Sequence, residues 1–237
     1  MWQEVMARTY ADLSVEELTY LWRYSTLDES VDEAAERLVE AGLATEQRGV
    51  SDEILNAADA RLRRPLPEDL RHFYRRVTPV NTCPSQDFGF IGFQPVNDPD
   101  LRWIEGSDLK NALWTTPYEH NRLKGWQSAR VLTLGYTPFG DTLLWCEGLH
   151  GRPNGTIVVT DHECSSSENP VVLADSFAQW LARYRNFGFV EYAIAPGGLN
   201  AHKKSRVIIA FLTDHVRLNP ECEWANENLA AWRDDAR

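Results

Sequence analysis

The sequence has few cysteines and no apolar run long enough to cross a bilayer. Its four cysteines are widely scattered in the chain: Cys83, Cys146, Cys164 and Cys222. A chain of 237 residues can bury a core without disulfides, so this spacing favours a reducing compartment. The longest candidate run covers only residues 207–212, whereas a membrane helix needs about 20 apolar residues. Residues 1–5 (MWQEV) lack the basic start and apolar block of a secretory signal, so we expect a cytoplasmic protein that does not enter a membrane.

Basic residues are scarce relative to acidic ones. The 24 lysines and arginines face 35 aspartates and glutamates, which gives a formal net charge of -11 and a pI near 5.0. Affinity for nucleic acid depends on basic side chains that neutralise phosphates, so this balance argues against a nucleic-acid partner. An acidic chain suits a basic protein partner better, although acidity also serves solubility alone.

Recognisable catalytic motifs are missing as well. The chain has no Walker loop, no dinucleotide-binding glycine pattern, no Gly-x-Ser-x-Gly elbow and no His-Glu-x-x-His helix. The most enzyme-like group is His150 with His162 and Cys164, since strand alternation would place the last two on one face for zinc. Without a second ligand pair we expect no metal and no cofactor, and a metal-dependent hydrolase remains an alternative. Cys146 lies in an apolar run typical of inert packing, so we expect no catalytic residue.

Residues 1–50 predict a helical extension. The segments 14–17 (SVEE) and 30–33 (SVDE) both fit the capping box that starts a helix, and Gly42 can end the second one. The end of that helix also resembles a winged-helix module, which would imply DNA binding. Its face carries four acidic residues and only Arg37, so we favour a helical cap on the main domain.

Two further helices are predicted before the middle of the chain. The first starts at Ser51 and ends before Pro65, because proline disfavours helix in the preceding residue. Its buried side would carry Ile54, Leu55, Ala58 and Leu62. The second spans residues 67–77 and is stopped by Pro79.

The middle of the chain predicts strands, and the end predicts helix. Apolar or aromatic runs broken by turn residues occupy 88–93, 130–134, 142–146 and 156–160, a pattern typical of an antiparallel sheet. A helix follows over residues 175–184, with Asp175 as its cap. Residues 206–212 fit either a last strand or a buried helix, and residues 226–233 predict a closing helix.

Three segments, in this order, resemble the SUKH superfamily, a group of bacterial immunity proteins that also includes yeast regulators of cell-wall synthesis. They are residues 62–74 (LRRPLPEDLRHFY), 140–145 (GDTLLW) and 174–181 (ADSFAQWL). Thr142 stands where the family often has a second glycine, so the geometry of this turn is not carried over. Each segment also has a purely structural reading as a helix start, a turn or a core-facing helix.

The resemblance implies an α+β fold, in which helices flank a central, mostly antiparallel sheet of at least four strands. This domain would occupy residues 51–190, after the helical extension 1–50 and before a tail, 191–237, that packs back through a strand or helix. The implied function is that of an immunity protein, which binds and neutralises a cognate, basic toxin such as a nuclease by direct contact. An intracellular regulatory or scaffold protein of the same fold is the alternative. The oligomeric state is not indicated.

The candidate toxin-binding surface is the acidic, Trp-bearing segment 98–108, called here the acidic segment. Its proposed contact residues are Asp98, Asp100, Trp103, Glu105 and Asp108. The carboxylates would steer a basic partner, and the indole would anchor it. The alternative is an ordinary long loop whose Trp103 folds back onto the core.

Overall fold

The structure is a computed structural model. It describes residues 13–24, 31, 33, 44–45, 49–76, 78–79, 92–108, 128–136, 141–160, 171–187, 201–220 and 222–235. The helices in these ranges are α1 (Val15–Tyr24), α2 (Asp52–Leu62), α3 (Glu68–Arg76), α4 (Phe177–Phe187), α5 (Ala201–Leu218) and α6 (Glu223–Asp235). The strands are β1 (Ala44–Thr45), β2 (Thr78–Pro79), β3 (Gly92–Phe93), β4 (Trp103–Glu105), β5 (Arg130–Tyr136), β6 (Thr142–Glu147), β7 (Thr156–Thr160) and β8 (Val171–Ala174). A single 3₁₀ turn, Gly106–Asp108, follows β4.

Six of these strands form one antiparallel sheet. Five of them follow in the order β3-β5-β6-β7-β8, and the sixth, β4, also pairs with β5. Strand β4 pairs with the first half of β5, and β3 pairs with its end, so the two short strands share one edge. Strands β1 and β2 form a separate two-stranded pair. The α+β class, the antiparallel sheet and the presence of an N-terminal helix are therefore confirmed.

The strands predicted from long apolar runs are present, and four short strands, β1, β2, β4 and β8, were missed. The runs 130–134, 142–146 and 156–160 lie within β5, β6 and β7. Of the run 88–93, only residues 92–93 are described, and they form β3. Strands β4 and β8 have three and four residues and lack a long periodic pattern of their own.

Helices α2, α3 and α4 cover one face of the sheet. Successive strand residues point to opposite faces, so Leu132 and Trp145, which are paired across β5 and β6, lie together on this side. They share a core with Leu55, Phe73 and Phe177 of the three helices. The rings of Phe73 and Phe177 meet edge to face, with centroids 5.2 Å apart.

The other face of the sheet is packed against the end of α5. Val131, Cys146 and Val158 of this face form a core with Leu218. Helix α5 also packs against α1 and α6, through a third core that includes Leu18, the run 207–212 and Leu229. The open choice for residues 206–212 is thereby settled as helix, and the closing helix predicted at 226–233 lies inside α6.

Local signals located most helix ends. The first capping box is formed: Glu17 N–H donates to Ser14 Oγ over 3.1 Å, and Ser14 N–H donates to Glu17 Oε2 over 2.8 Å. Of the second box only Val31 and Glu33 are described, both helical; most of the winged-helix resemblance lies outside the described residues. Helix α2 ends before Pro65 as predicted, with Arg63 in the left-handed conformation at φ 57°.

Two details of the sequence predictions were wrong. Ile54 is 43% exposed, because the buried side of α2 is formed by Leu55, Ala58 and Leu62. The start of α4 is capped by Ser176, whose Oγ accepts from Gln179 N–H over 3.1 Å. Asp175, the predicted cap, instead forms an ion pair with Arg152 at 3.0 Å. Among the described helices, none combines the length and apolar character that a membrane span requires.

Candidate functional site

The backbone leading into the acidic segment is fastened to the body of the protein. Arg61 of α2 donates from Nη1 to Leu101 O over 2.8 Å and from Nη2 to Val96 O over 3.2 Å. From β5, the hydroxyl of Thr133 accepts from Arg102 N–H over 3.0 Å and donates to the carbonyl of Asp100. The Leu101 side chain is fully buried. The carboxylates of this segment therefore project from a fixed backbone.

The acidic side chains fall into two groups. Asp98 and Asp100 form a tight turn, in which Asp100 N–H donates to Asp98 Oδ1 over 2.8 Å. They lie near Tyr136 at the end of β5, where burial and then the Asp100 carboxylate raise the pKa of the phenol. Asp98 is half-buried and Asp100 is exposed. This pair adds negative charge at one end of β5.

Trp103 and Glu105 lie at the other end of β5, on β4. Because β4 runs antiparallel to β5, Trp103 is opposite Leu132 and Glu105 is opposite Arg130. The exposed Glu105 carboxylate is 3.6 Å from Arg130 Nε. Asp108 is exposed in the adjacent 3₁₀ turn. The structure thus separates Asp98 and Asp100 from the group formed by Trp103, Glu105 and Asp108.

Trp103 packs on the core and still reaches the surface. Its ring meets that of Trp145 edge to face, with centroids 5.8 Å apart and an interplanar angle of 88°. The guanidinium of Arg64 lies 5.1 Å from the centroid of the Trp103 ring, within the range of a cation–π contact. The indole Nε1 of Trp103 is enclosed and has no hydrogen-bond partner among the described residues. The Trp103 ring is half-buried. It is exposed enough to contact a partner, and it also folds back onto the core as an ordinary loop tryptophan would.

A row of ion pairs beside Trp103 was not predicted from the sequence. Glu147 of β6 lies 3.2 Å from Arg64 and 3.4 Å from Arg130, which also pairs with Glu105. These partners come from the turn after α2 and from three strands, so no local spacing could reveal them. The only hint was that Arg64 stands in the first of the three motif segments. Through Glu147, the row holds Arg64 in place against the indole.

The first and second motif segments meet at a half-buried carboxylate, that of Asp69. Asp69 Oδ2 accepts from Trp145 Nε1 over 3.0 Å, and Asp69 Oδ1 accepts from Leu70 N–H over 2.8 Å. Burial raises the pKa of Asp69 despite these hydrogen bonds. A Cβ on Gly155, at φ +97°, would lie 3.5 Å from Trp145 Nε1. The hydrogen bond to Asp69 therefore holds Trp145, the tryptophan against which Trp103 packs, in position.

The residues considered for metal or nucleophilic chemistry do not assemble in the described part of the chain. His150 is exposed in the turn after β6, whereas His162 and Cys164 lie outside the described residues. No group of three or more metal-ligating side chains occurs among the described residues. Burial raises the pKa of the Cys146 thiol, which disfavours the thiolate that a nucleophile needs.

The fold and this site define an α+β protein with an antiparallel sheet, whose candidate surface is made of charged and aromatic side chains. The SMI1 / KNR4 family (SUKH-1) matches residues 49–183, more than half of the chain, and the protein belongs to this family. Neither the curated proteins nor the solved structures compared with the chain gave a match. Membership is consistent with an immunity or a regulatory role. The match covers α2 to β8 and most of α4, and it excludes α1, α5 and α6.

Proposed function

We propose that this protein is an immunity protein that neutralises a cognate, basic toxin by binding it directly. The observation that carries the proposal is the acidic segment, where a fixed backbone presents exposed carboxylates next to a half-buried tryptophan. Family membership supports the class of function. The proposed contact residues are Asp98, Asp100, Trp103, Glu105 and Asp108.

Charge would govern how fast the toxin is captured. With a net charge of -11, the protein attracts a basic partner over distances of about one Debye length, roughly 8 Å at physiological salt. Electrostatic steering of this kind can raise association rate constants toward about 10⁸ M⁻¹s⁻¹ at low salt. A nuclease, whose own surface attracts phosphate, is the kind of toxin that would benefit most.

Trp103 would govern how slowly the toxin is released. Aromatic side chains that are already held in position lose little freedom on binding, and they dominate many interfaces. Trp145 and Arg64 hold Trp103 from two sides. A stable complex buries roughly 1,600 Å² in total, so the interface would extend beyond the acidic segment.

The test uses any candidate toxin domain that a neighbouring open reading frame encodes, inactivated so that it can be handled. Two double reversals, Asp98→Lys with Asp100→Lys and Glu105→Lys with Asp108→Lys, separate the two acidic groups. Glu227→Lys with Asp234→Lys on α6 is the control, because both positions are exposed and the net charge changes equally. At low salt we expect the acidic-segment variants to associate about tenfold more slowly, and the control to change far less.

The outcomes separate the proposal from its alternatives. If no neighbouring toxin binds and the protein copurifies with enzymes of its own cell, a regulatory or scaffold role replaces immunity. Binding with association rates equal to the control would remove the acidic segment from the interface. Stoichiometric zinc, together with turnover of a small substrate that is lost on His162→Ala or Cys164→Ala, would instead establish the hydrolase.

A further inference from the structure

The outer edge of β8 is closed by the side chain of Asn219, the residue that directly follows α5. Among the described strands, β8 pairs only with β7, and an open strand edge invites pairing with another chain. Here Val172 N–H donates to Asn219 Oδ1 over 3.2 Å, and Asn219 Nδ2 donates to Val172 O over 3.1 Å. The amide of Asn219 thus supplies the donor and the acceptor that a neighbouring strand would supply.

A second backbone group of β8 is satisfied by an arginine of α4 whose charge is neutralised by α5. The β7–β8 register skips Leu173, and the Leu173 carbonyl accepts from Nη1 of the buried Arg183. Arg183 Nη2 lies 2.7 Å from Asp214 Oδ2, and their side chains are 4% and 1% exposed. Asp214 belongs to α5 and also accepts from Arg217 Nε over 2.7 Å. The carbonyl left over by the bulge therefore depends on a countercharge from α5.

A third connection lies at the rim of this contact. Arg152, in the turn between β6 and β7, forms an ion pair with Asp175 at 3.0 Å and donates to the carbonyl of Leu218. The Leu218 side chain is buried in the core on the second face of the sheet. Backbone, ionic and apolar contacts thus converge on the last two turns of α5.

We infer that the outer edge of β8 is a docking surface for a helix, and that its occupant is the chain's own α5. The segment matched by the family ends at Arg183, so it contains the buried arginine without the Asp214 that neutralises it. With α5 docked, Asn219 satisfies both outward backbone groups of Val172 and takes the place that a further strand would occupy there. Helix α5 is accordingly held by its contacts and does not depend on the covalent link after α4.

The link is tested in the full-length protein by inserting a protease site between the end of α4 at Phe187 and the start of α5 at Ala201. After cleavage we expect the two pieces to elute together in size-exclusion chromatography, with the mass of the whole chain. Separation of the pieces under native conditions would overturn the inference.

The edge closure is tested in the uncleaved protein with Asn219→Ala. We expect the Val172 amide to exchange its hydrogen at least tenfold faster, because it loses its acceptor. Asn226→Ala is the matched control, since Asn226 Nδ2 donates to Cys222 O over 2.7 Å at the start of α6 and has no sheet partner among the described residues. Equal exchange in both variants would contradict the closure. If Asn219→Ala does not fold, Asn219→Asp supplies the test: it keeps the acceptor for Val172 N–H, so we expect this amide to exchange as slowly as in the wild type, and faster exchange would contradict the closure.

Discussion

The indole N–H of Trp145 donates to the carboxylate of Asp69, with 3.0 Å between Nε1 and Oδ2, although 76 positions separate the two residues. The contact joins the first turn of α3 to the middle of β6, and thereby the first two segments by which the family was recognised. It also supports the ring on which Trp103 rests. The half-buried carboxylate of Asp69 thus connects the fold to the candidate binding surface.

Replacing this carboxylate changes how stability depends on pH. Burial raises the pKa of Asp69 in the folded protein, so the folded state binds a proton at a higher pH than the unfolded chain does. Stability contributed by this group therefore falls as pH rises above the ordinary aspartate pKa of about 3.9. Asp69→Asn cannot titrate, so we expect the stability of the wild type relative to the variant to decline from pH 4 to pH 7. Urea unfolding at each pH checks this, and a constant or rising difference would contradict it.

His215 gives the opposite pH dependence. Burial lowers the pKa of His215 to about 4, although the neighbouring Asp214 acts against this shift. Because the unfolded histidine titrates near 6.5, its contribution to stability is complete above that pH and is lost as pH falls toward 4. The loss amounts to about 1.4 kcal/mol for each pH unit in this window. We expect His215→Gln to flatten the stability profile between pH 6.5 and 4.5 in urea unfolding; an unchanged slope would exclude His215 as its source.

Because Arg183 and Asp214 form a buried ion pair, we expect the losses in unfolding free energy on replacing them to be strongly non-additive. Asp214→Leu leaves the buried Arg183 charge without its countercharge, which costs about 3–5 kcal/mol, whereas Arg183→Met leaves Asp214 paired with Arg217 and should cost less. Replacing both removes the two desolvated charges together, so the double variant should lose much less than the sum of the single losses. A double-mutant cycle of unfolding free energies measures the coupling. Additive losses would show that the two charges do not stabilise each other.

At Gly49 the backbone lies close to the backbone of α3 at Arg75, which leaves no room for a side chain. A Cβ built on Gly49 would lie 1.7 Å from the carbonyl oxygen of Arg75, and the adjacent Val50 N–H donates to Tyr74 O over 2.8 Å. Gly49→Ala must push this segment away from α3, and we expect a loss of about 1–3 kcal/mol in unfolding free energy. Gly151→Asn is the control, because nothing lies within 4 Å of its Cβ and Asn tolerates its φ of +72°. A loss no larger than that of the control would mean that the segment shifts freely.

Local chemistry in the chain was enough to predict most elements of the fold. Capping residues and prolines act over a few positions, so they located the start of α1 and the ends of α2 and α3. The apolar runs that became β5, β6 and β7 are buried on both faces, which made them visible without knowledge of their partners. Three ordered motifs were sufficient to recognise the family.

Long-range contacts decided the remaining elements and the shape of the candidate site. Strands β4 and β8 are too short to carry a pattern, and they exist because β5 and β7 supply their hydrogen bonds. The run 207–212 became helical because α1 and α6 bury it, where its composition allowed either form. Asp175 lost the role of cap because Arg152, 23 positions earlier, binds it in the folded chain. A sequence reveals interactions between neighbours, whereas the pairing of distant charges and edges depends on the free energy of the whole packed molecule.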